Sequence, residues 1–518
     1  MNSEAKSQEE VFAALSAPAM HGGVKVETFQ THASVVFLAG DRAIKIKRAV
    51  RFPFLDYSTL ERRKAACEAE VAVNRAFAPQ IYLGVVPITE NEDGTLRIGG
   101  NGKVVEWAVH MRRFDENHTL DRVAERGELD ESLSLKLADT VLAAHRAASP
   151  IDAGAWLAAL RSFIDQNRDA FSARADLFPA RDVNVLTASS IAAYERVYDL
   201  LCARGASGFI RLLHGDLHLG NIVLLNGMPV LFDAIEFDPI IAAGDVLYDL
   251  AFLLMDLTER RLAPAANAVF NRYLQQAGEP RHLDALVALP LFLSMRAAIR
   301  AKVTAAKLDA DGVANSASIR ESAQRYFAFA LDALKPVVPM LVAVGGLSGT
   351  GKSVLARAIA PLLDPAPGAV MLRSDVERKR MFGVAETDRL PDAAYAPDVG
   401  KRVYAALAEK AQKVVAAGYS AVVDAVFADA AERSQIAGVC EHGRPHFCGL
   451  FLTADVETRL SRVGGRKGDA SDADRNVVLA QSKYDLGAMD WTVVDASGTP
   501  AQTLDAAMAV IRSGSKRR

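Results

Sequence analysis

Gly346-Leu347-Ser348-Gly349-Thr350-Gly351-Lys352-Ser353 decides the fold of the last third of this chain. It fits the spacing GxxxxGK[ST], follows an apolar run at 341–344 and opens a helical pattern at 353–363. In that order, strand, loop and helix turn backbone amides toward a polyphosphate, and the helix N-terminus adds partial positive charge. The motif gives Gly346, Ser348, Gly349, Thr350 and Gly351 to a nucleotide cradle, Lys352 to the β- and γ-phosphates and Ser353 to Mg2+. Outward from it, apolar strands at 341–344, 370–372, 421–423, 447–452 and 492–494 alternate with helical stretches. That pattern predicts an α/β fold with a parallel sheet buried on both faces. Asp424 ends the third strand, where an acid holds magnesium through water, and Asp375 lies just past the second strand with Arg378 one turn on.

With those acids and that arginine in place, residues 339–513 resemble the small-molecule kinases among P-loop proteins, gluconate kinase and its relatives. The resemblance implies that Asp375 and Arg378 face an acceptor hydroxyl. The run Arg459-Leu460-Ser461-Arg462-Val463-Gly464-Gly465-Arg466 looks like the arginine-bearing lid of these kinases. Arg462 and Arg466 would then close over the transferring phosphoryl group and stabilise its charge.

A second constellation stands upstream. His214-Gly215-Asp216-Leu217-His218-Leu219-Gly220-Asn221 carries HxDxxxxN, and Asp233 follows on a predicted hairpin that turns at Asn226-Gly227. Phosphoryl transfer needs one acid at the acceptor hydroxyl, with an amide and a second acid on magnesium; Asp216, Asn221 and Asp233 satisfy that order. Here the chain resembles the aminoglycoside phosphotransferase and choline kinase branch of the protein-kinase-like fold. The resemblance implies a lysine strand at Ala43-Ile44-Lys45, with Lys45 on the α- and β-phosphates and Lys47, of the same strand parity, as the alternative. Glu70 would be the lysine's ion-pair partner, with Glu68 as runner-up, and His110 and Met111 would bind adenine by their backbone at the hinge between lobes. His214 would brace the catalytic loop, with Asp245 and Asp249 as structural acids behind it; Arg296 and Arg300 face either an anionic acceptor or solvent. No GxGxxG precedes Lys45; Gln30-Thr31-His32-Ala33-Ser34 takes its place, which leaves ATP against GTP open.

The expectation is therefore two domains: an α+β protein-kinase-like (aminoglycoside phosphotransferase-like) fold over 1–335, then an α/β P-loop kinase fold over 336–518, with Pro336 and Pro339 at the boundary. This tandem order resembles the bacterial proteins described as bifunctional aminoglycoside phosphotransferase-like/ATP-binding. It implies an ATP- and Mg2+-dependent enzyme that phosphorylates small hydroxylated metabolites. Two other readings stand beside it: one N-terminal kinase regulated by a nucleotide-sensing P-loop domain, or a nucleotide-dependent binding protein. The 518 residues carry 60 basic against 63 acidic side chains, a net charge of −3, which argues against a nucleic-acid partner. Four scattered cysteines offer no zinc or disulfide framework, and the polar N-terminus has no apolar run behind it. Apolar segments at 247–257 and 286–293 fall short of a span of ~20 residues and read as buried helices, so the sequence reads as a cytoplasmic protein with no membrane partner. Oligomeric state leaves no signature.

Overall fold

A computed structural model describes residues 3–52, 55–278, 280–309, 316–440, 446–465 and 470–515. The chain divides into two compact units, Met1–Ser162 with Leu201–Leu253 and Phe163–Leu200 with Leu254–Arg518. The proline-bracketed segment 336–339 lies inside the second.

The first unit is built on an antiparallel sheet of six strands, in the spatial order Val26–Gln30, Ser34–Ala39, Arg42–Lys47, Lys103–Arg112, Tyr82–Glu90 and Leu96–Ile98. One face buries Phe37, Ile44, Ile46, Ile88 and Ala108 together with Val11 and Leu15 of the N-terminal helix. The other carries helix Leu60–Arg75, started by the Thr59 hydroxyl accepting from the Arg62 N–H. That helix packs Cys67 and Val71 against Val109, Val223 and Val230. The hairpin Ile222–Leu225/Met228–Leu231 turns at Asn226-Gly227, both at positive φ (51° and 74°), the backbone that a two-residue turn between twisted strands requires. It brings Asn221 and Asp233 to the same open end of one short ribbon, where the Phe232 N–H donates to the Asn221 carbonyl at 2.9 Å.

The second unit holds a five-stranded parallel sheet in the order Val370–Arg373, Ala421–Asp424, Met340–Gly346, His446–Thr453, Thr492–Asp495. The first strand in sequence sits in the middle, with later strands on both sides. That is the switch-point arrangement whose crevice, beyond the carboxyl ends of the strands, takes ligands. Its core joins Val342, Val344, Val422, Leu450 and Leu452 to Leu355 and Ile359 of the helix after the glycine loop. Helices Leu289–Ala306 and Ser316–Ala333 of the same unit pack together, with the Ser294 hydroxyl donating to the Ala330 carbonyl at 2.8 Å. Arg296 is buried there and the Arg300 guanidinium stacks on the Tyr326 ring. Among the described residues, Pro280–Asp309 is the one helical stretch long and apolar enough to cross a membrane, and 72% of its most apolar window is buried inside the protein.

Candidate active sites

In the first unit the side chains at 45 and 47 point to the same face, and Glu70 takes both. Lys45 Nζ lies 2.8 Å from Glu70 Oε1 and 2.9 Å from Asp233 Oδ1; Lys47 Nζ lies 2.5 Å from Glu70 Oε2 and 2.5 Å from Glu236 Oε1. The two lysines divide the work by burial. Lys47 is 4% exposed and ties Glu236 to the helix, while Lys45 is 15% exposed and reaches the loop that carries Asp233. Glu68, the alternative partner, pairs with Lys64 on the open side of the helix.

Asp233 adopts φ 59°, an unfavourable left-handed backbone for a residue with a Cβ, and its neighbours hold it there. The Asp233 N–H donates to the Tyr82 hydroxyl at 3.1 Å. One residue on, the Asn74 amide clamps Ala234 from both sides: the Ala234 N–H donates to Oδ1 at 2.7 Å, and Nδ2 donates to the Ala234 carbonyl at 3.2 Å. Asn74 is one helical turn beyond Glu70, so a single helix face fixes both the lysine and the acid loop.

Asp216 and Asn221 meet directly. Asn221 Nδ2 donates to the Asp216 carboxylate (Oδ2) and to its carbonyl, each at 3.0 Å, so Oδ1 is the atom that would meet a cation. The Gly220 N–H donates to His218 Nδ1, which leaves the proton on Nε2, 3.4 Å from Asp216 Oδ2. Behind the loop, Asp249 Oδ1 accepts the Gly215 N–H at 3.0 Å and Oδ2 faces His145 at 3.2 Å. His214 Nε2 bonds the Phe232 carbonyl, and burial lowers its pKa, which keeps the ring neutral; it joins loop to hairpin. Thr31 orders the turn ahead of the lysine strand, its hydroxyl accepting the Ser34 N–H at 2.9 Å.

His110 and Met111 lie differently from the expectation of a hinge. Both are within the strand Lys103–Arg112, paired with Ile44 and Ala43 on one side and with Gly84 and Tyr82 on the other. A central strand commits its backbone to its neighbours. The Arg112 and Arg113 N–H groups are also taken, by the Ile81 and Asp41 carbonyls. The chain leaves the sheet only beyond them, where Phe114 packs edge-on against Phe232.

The ion pairs give this site a pH signature. Burial alone would raise the Glu70 carboxyl, but Lys45 and Lys47 outweigh it and hold it at about 2. A carboxyl depressed in the folded state contributes stability that is complete above its unfolded value, ~4.3, and is lost as pH falls toward the folded one. The urea midpoint of the wild type should therefore drop between about pH 4.5 and 3, and that of Glu70→Gln should drop less steeply, from a lower start. Parallel curves for the two proteins would remove Glu70 as the source.

In the second unit the glycine loop is forced by its surroundings. Gly346 has φ 138°, and a Cβ there would stand 2.6 Å from the Leu452 carbonyl; Gly349 has φ 87°, with the Arg459 carbonyl at the same 2.6 Å. Gly351, at φ 92°, precedes the helix Lys352–Ile359. The Thr350 hydroxyl and Lys352 Nζ both donate to the Leu347 carbonyl, at 2.8 and 3.2 Å, and the Ser348 N–H donates to Gln481 at 2.7 Å. Ser353 Oγ donates to Asp424 Oδ2 at 2.6 Å. Burial and the Asp424 charge push the Asp375 carboxyl up, opposed by Lys352, Arg373 and a hydrogen bond from Ser471. Asp375 thus stands in the first turn of helix Ser374–Met381, within reach of the charges of Lys352, Arg373 and Asp424.

The arginines of this unit take several positions. Arg378 donates to the Ala394 carbonyl at 2.6 Å and stacks on the Tyr395 ring, with its Nε buried. Arg459 is only 3% exposed and braces the loop, its Nε donating to the Ser348 carbonyl at 2.9 Å. Arg462 donates to the Gly498 carbonyl at 3.0 Å and to the Thr350 carbonyl at 3.5 Å; Arg466 lies outside the described residues.

Both donor sets suit magnesium, a hard cation that takes oxygen ligands. Ser353 and Asp424 already share a proton-bridged oxygen pair, and Asn221 and Asp233 bring an amide and a carboxylate oxygen to adjoining ends of one hairpin. When bound, the ion supplies charge neutralisation at the β- and γ-phosphates.

Comparison with known proteins agrees with this geometry. Residues 31–286 match the phosphotransferase enzyme family, and residues 341–484 match the AAA domain family. The chain therefore carries a phosphotransferase-family match followed by an AAA-family match that contains the P-loop. This tandem is 28% identical over 476 residues to uncharacterized proteins of Mycobacterium tuberculosis and Mycobacterium bovis, covering 89% of this chain and 91% of theirs. Among solved structures, its phosphotransferase part is similar to a choline/ethanolamine kinase family protein from Mesorhizobium loti (15% identity, 63% of this chain and 99% of that one, TM-score 0.38). Its P-loop part is similar to a gluconokinase from Sinorhizobium meliloti (22% identity, 34% of this chain and 95% of that one, TM-score 0.25).

Several residues of the tandem's sites were not singled out in the sequence. Asn74 had a signal, its place one turn beyond Glu70. Glu236, Gln481 and Arg373 had none, since each acts on a partner distant in the chain.

Proposed function

We propose that this chain is an ATP- and Mg2+-dependent phosphotransferase with two nucleotide sites, each passing the γ-phosphoryl group to a hydroxyl of a small metabolite. What supports it is that each unit carries its own set of phosphate-handling groups. One is Lys45, Glu70 and Asp233 with Asp216 and Asn221; the other is Lys352, Ser353 and Asp424 with Asp375. In the first site Asp216 takes the acceptor's hydroxyl proton while the acceptor oxygen bonds the γ-phosphorus. The bond to the β,γ-bridging oxygen breaks and ADP leaves. Lys45, held by Glu70, orients the α- and β-phosphates. In the second, Lys352 swings from the Leu347 carbonyl onto the β- and γ-phosphates, and Asp375 receives the acceptor proton; its raised pKa makes it a stronger base than an ordinary aspartate. Arg378, one turn on, is assigned in this reading to the acceptor. A sugar or amino sugar fits better than a polycationic aminoglycoside, because no dense acidic run marks the chain. In this reading the kinase-like domain runs over 1–335 and the P-loop domain over 336–518, although residues 163–200 and 254–335 cluster with the P-loop part, and a cytoplasmic location fits the nucleotide requirement.

Equilibrium binding of a non-hydrolysable ATP analogue with magnesium tests the reading. The full chain should bind two equivalents, and Lys352→Ala one. A single equivalent in the wild type, or two retained in Lys352→Ala, would overturn it.

A further inference from the structure

The strand Val370–Arg373, which leads to Asp375, is an edge of the parallel sheet, and a bare edge exposes a row of unpaired backbone groups. Helix Ala263–Ala277 covers it. Asn271 Oδ1 accepts the Met371 N–H at 2.6 Å and Nδ2 donates to the Ala369 carbonyl at 3.1 Å; Asn267 Nδ2 donates to the Ala369 and Pro367 carbonyls at 3.0 and 3.2 Å. This helix precedes the AAA match at 341–484 by more than sixty residues. Its next residue continues into the site. Arg272 pairs with Glu386 Oε2 at 3.1 Å, Glu386 Oε1 faces Arg373 at 3.7 Å, and Arg373 reaches Asp424 Oδ2 and Ser353 Oγ, each at 3.3 Å.

Arg373 therefore touches the two oxygens that would hold magnesium in the P-loop site, and Glu386 pulls the same guanidinium away from them. We propose that helix Ala263–Ala277 is a positioning element of the P-loop site, and that Arg272 sets the site's magnesium affinity through Glu386 and Arg373. The inference rests on the nucleotide reading of that site. Its logic is competition for one guanidinium. A guanidinium on Asp424 opposes a cation there by like charge and by occupying the carboxylate oxygen. Without Glu386, Arg373 settles on Asp424 and more magnesium is required. Without Arg272, Glu386 is left wholly to Arg373, draws it off Asp424, and less magnesium is required. A helix that merely covered the edge would weaken the site in both cases.

The test uses the full chain and reads the magnesium concentration that half-saturates binding of a fluorescent ATP analogue, counting only the signal lost in Lys352→Ala. Glu386→Gln should raise that concentration about threefold or more, and Arg272→Met should lower it by a similar factor, as contacting residues couple. Arg272→Lys should restore the wild-type value, and both shifts should vanish in an Arg373→Gln background. Melting temperatures of the same variants separate positioning from unfolding. Shifts of the same sign, or shifts that persist without Arg373, overturn the relay while leaving the nucleotide site intact. If Lys352→Ala removes no signal, the nucleotide reading itself falls, and the relay with it.

Discussion

Asp216→Asn lowers acceptor-dependent ADP release at the N-terminal site by about 10²–10⁴-fold, the range by which a positioned general base contributes. The substitution keeps the shape of the side chain, and its Oδ1 still accepts from Asn221 Nδ2, which now holds Asp216 Oδ2 at 3.0 Å. What it removes is a group able to take the acceptor's proton. Nucleotide binding should persist, because Lys45 is held by Glu70 and Asp233 and not by Asp216. The loop should persist too, since Asp249 fixes it through the Gly215 N–H. The check is a comparison of kcat with analogue binding on one preparation. A rate within about threefold of wild type would show that Asp216 does not carry the proton transfer.

The largest loss of stability is expected at a pair that touches no substrate. Arg204 and Asp245 are 2% and 0% exposed and meet in two parallel contacts of 2.6 and 2.7 Å. Asp245 also accepts the Leu247 N–H at 2.9 Å, which starts the helix Val246–Glu259. Asp245→Ala takes the carboxylate partner from a buried guanidinium and leaves that amide without its acceptor. Removing one partner of a buried pair costs about 3–5 kcal/mol, whereas replacing both with apolar groups is often neutral. Urea denaturation should therefore show a large loss for Asp245→Ala and a much smaller one for Arg204→Met/Asp245→Leu. Equal losses would mean that the pair itself, and not the buried charge deprived of its carboxylate, is what the fold needs.

The parts of the fold legible in the sequence are those fixed by short-range pattern. The Asn226-Gly227 turn, the strand–loop–helix order at Gly346–Ser353 and the five-residue offset from Asp216 to Asn221 each follow from backbone geometry within a few residues. Strand parity placed Lys45 and Lys47 on one face but did not rank them; burial and the reach to Asp233 do. Long-range packing was not legible. Arg459 reads like any arginine near a flexible end, yet the Ser348 carbonyl lies beside it only because the helix Val456–Gly464 packs under the loop. His110 and Met111 stand at the right distance for a hinge, but the sequence does not mark where the strand ends, and pairing continues to Arg112. The cover over the edge strand at 370–373 was equally silent. Asn267 and Asn271 look like ordinary polar positions of a helix until the backbone groups they satisfy are seen.

The central claim is that the chain holds two separate phosphotransferase sites. Its most direct test is ADP release with Mg-ATP across a panel of sugars, amino sugars, choline-like alcohols and aminoglycosides, run in parallel on wild type, Asp216→Asn and Lys352→Ala. The account predicts a crossover: some acceptors lose turnover only in Asp216→Asn, and others only in Lys352→Ala. If every acceptor-dependent turnover is lost in Asp216→Asn and none in Lys352→Ala, the chain has one catalytic site, and the second unit is not a kinase.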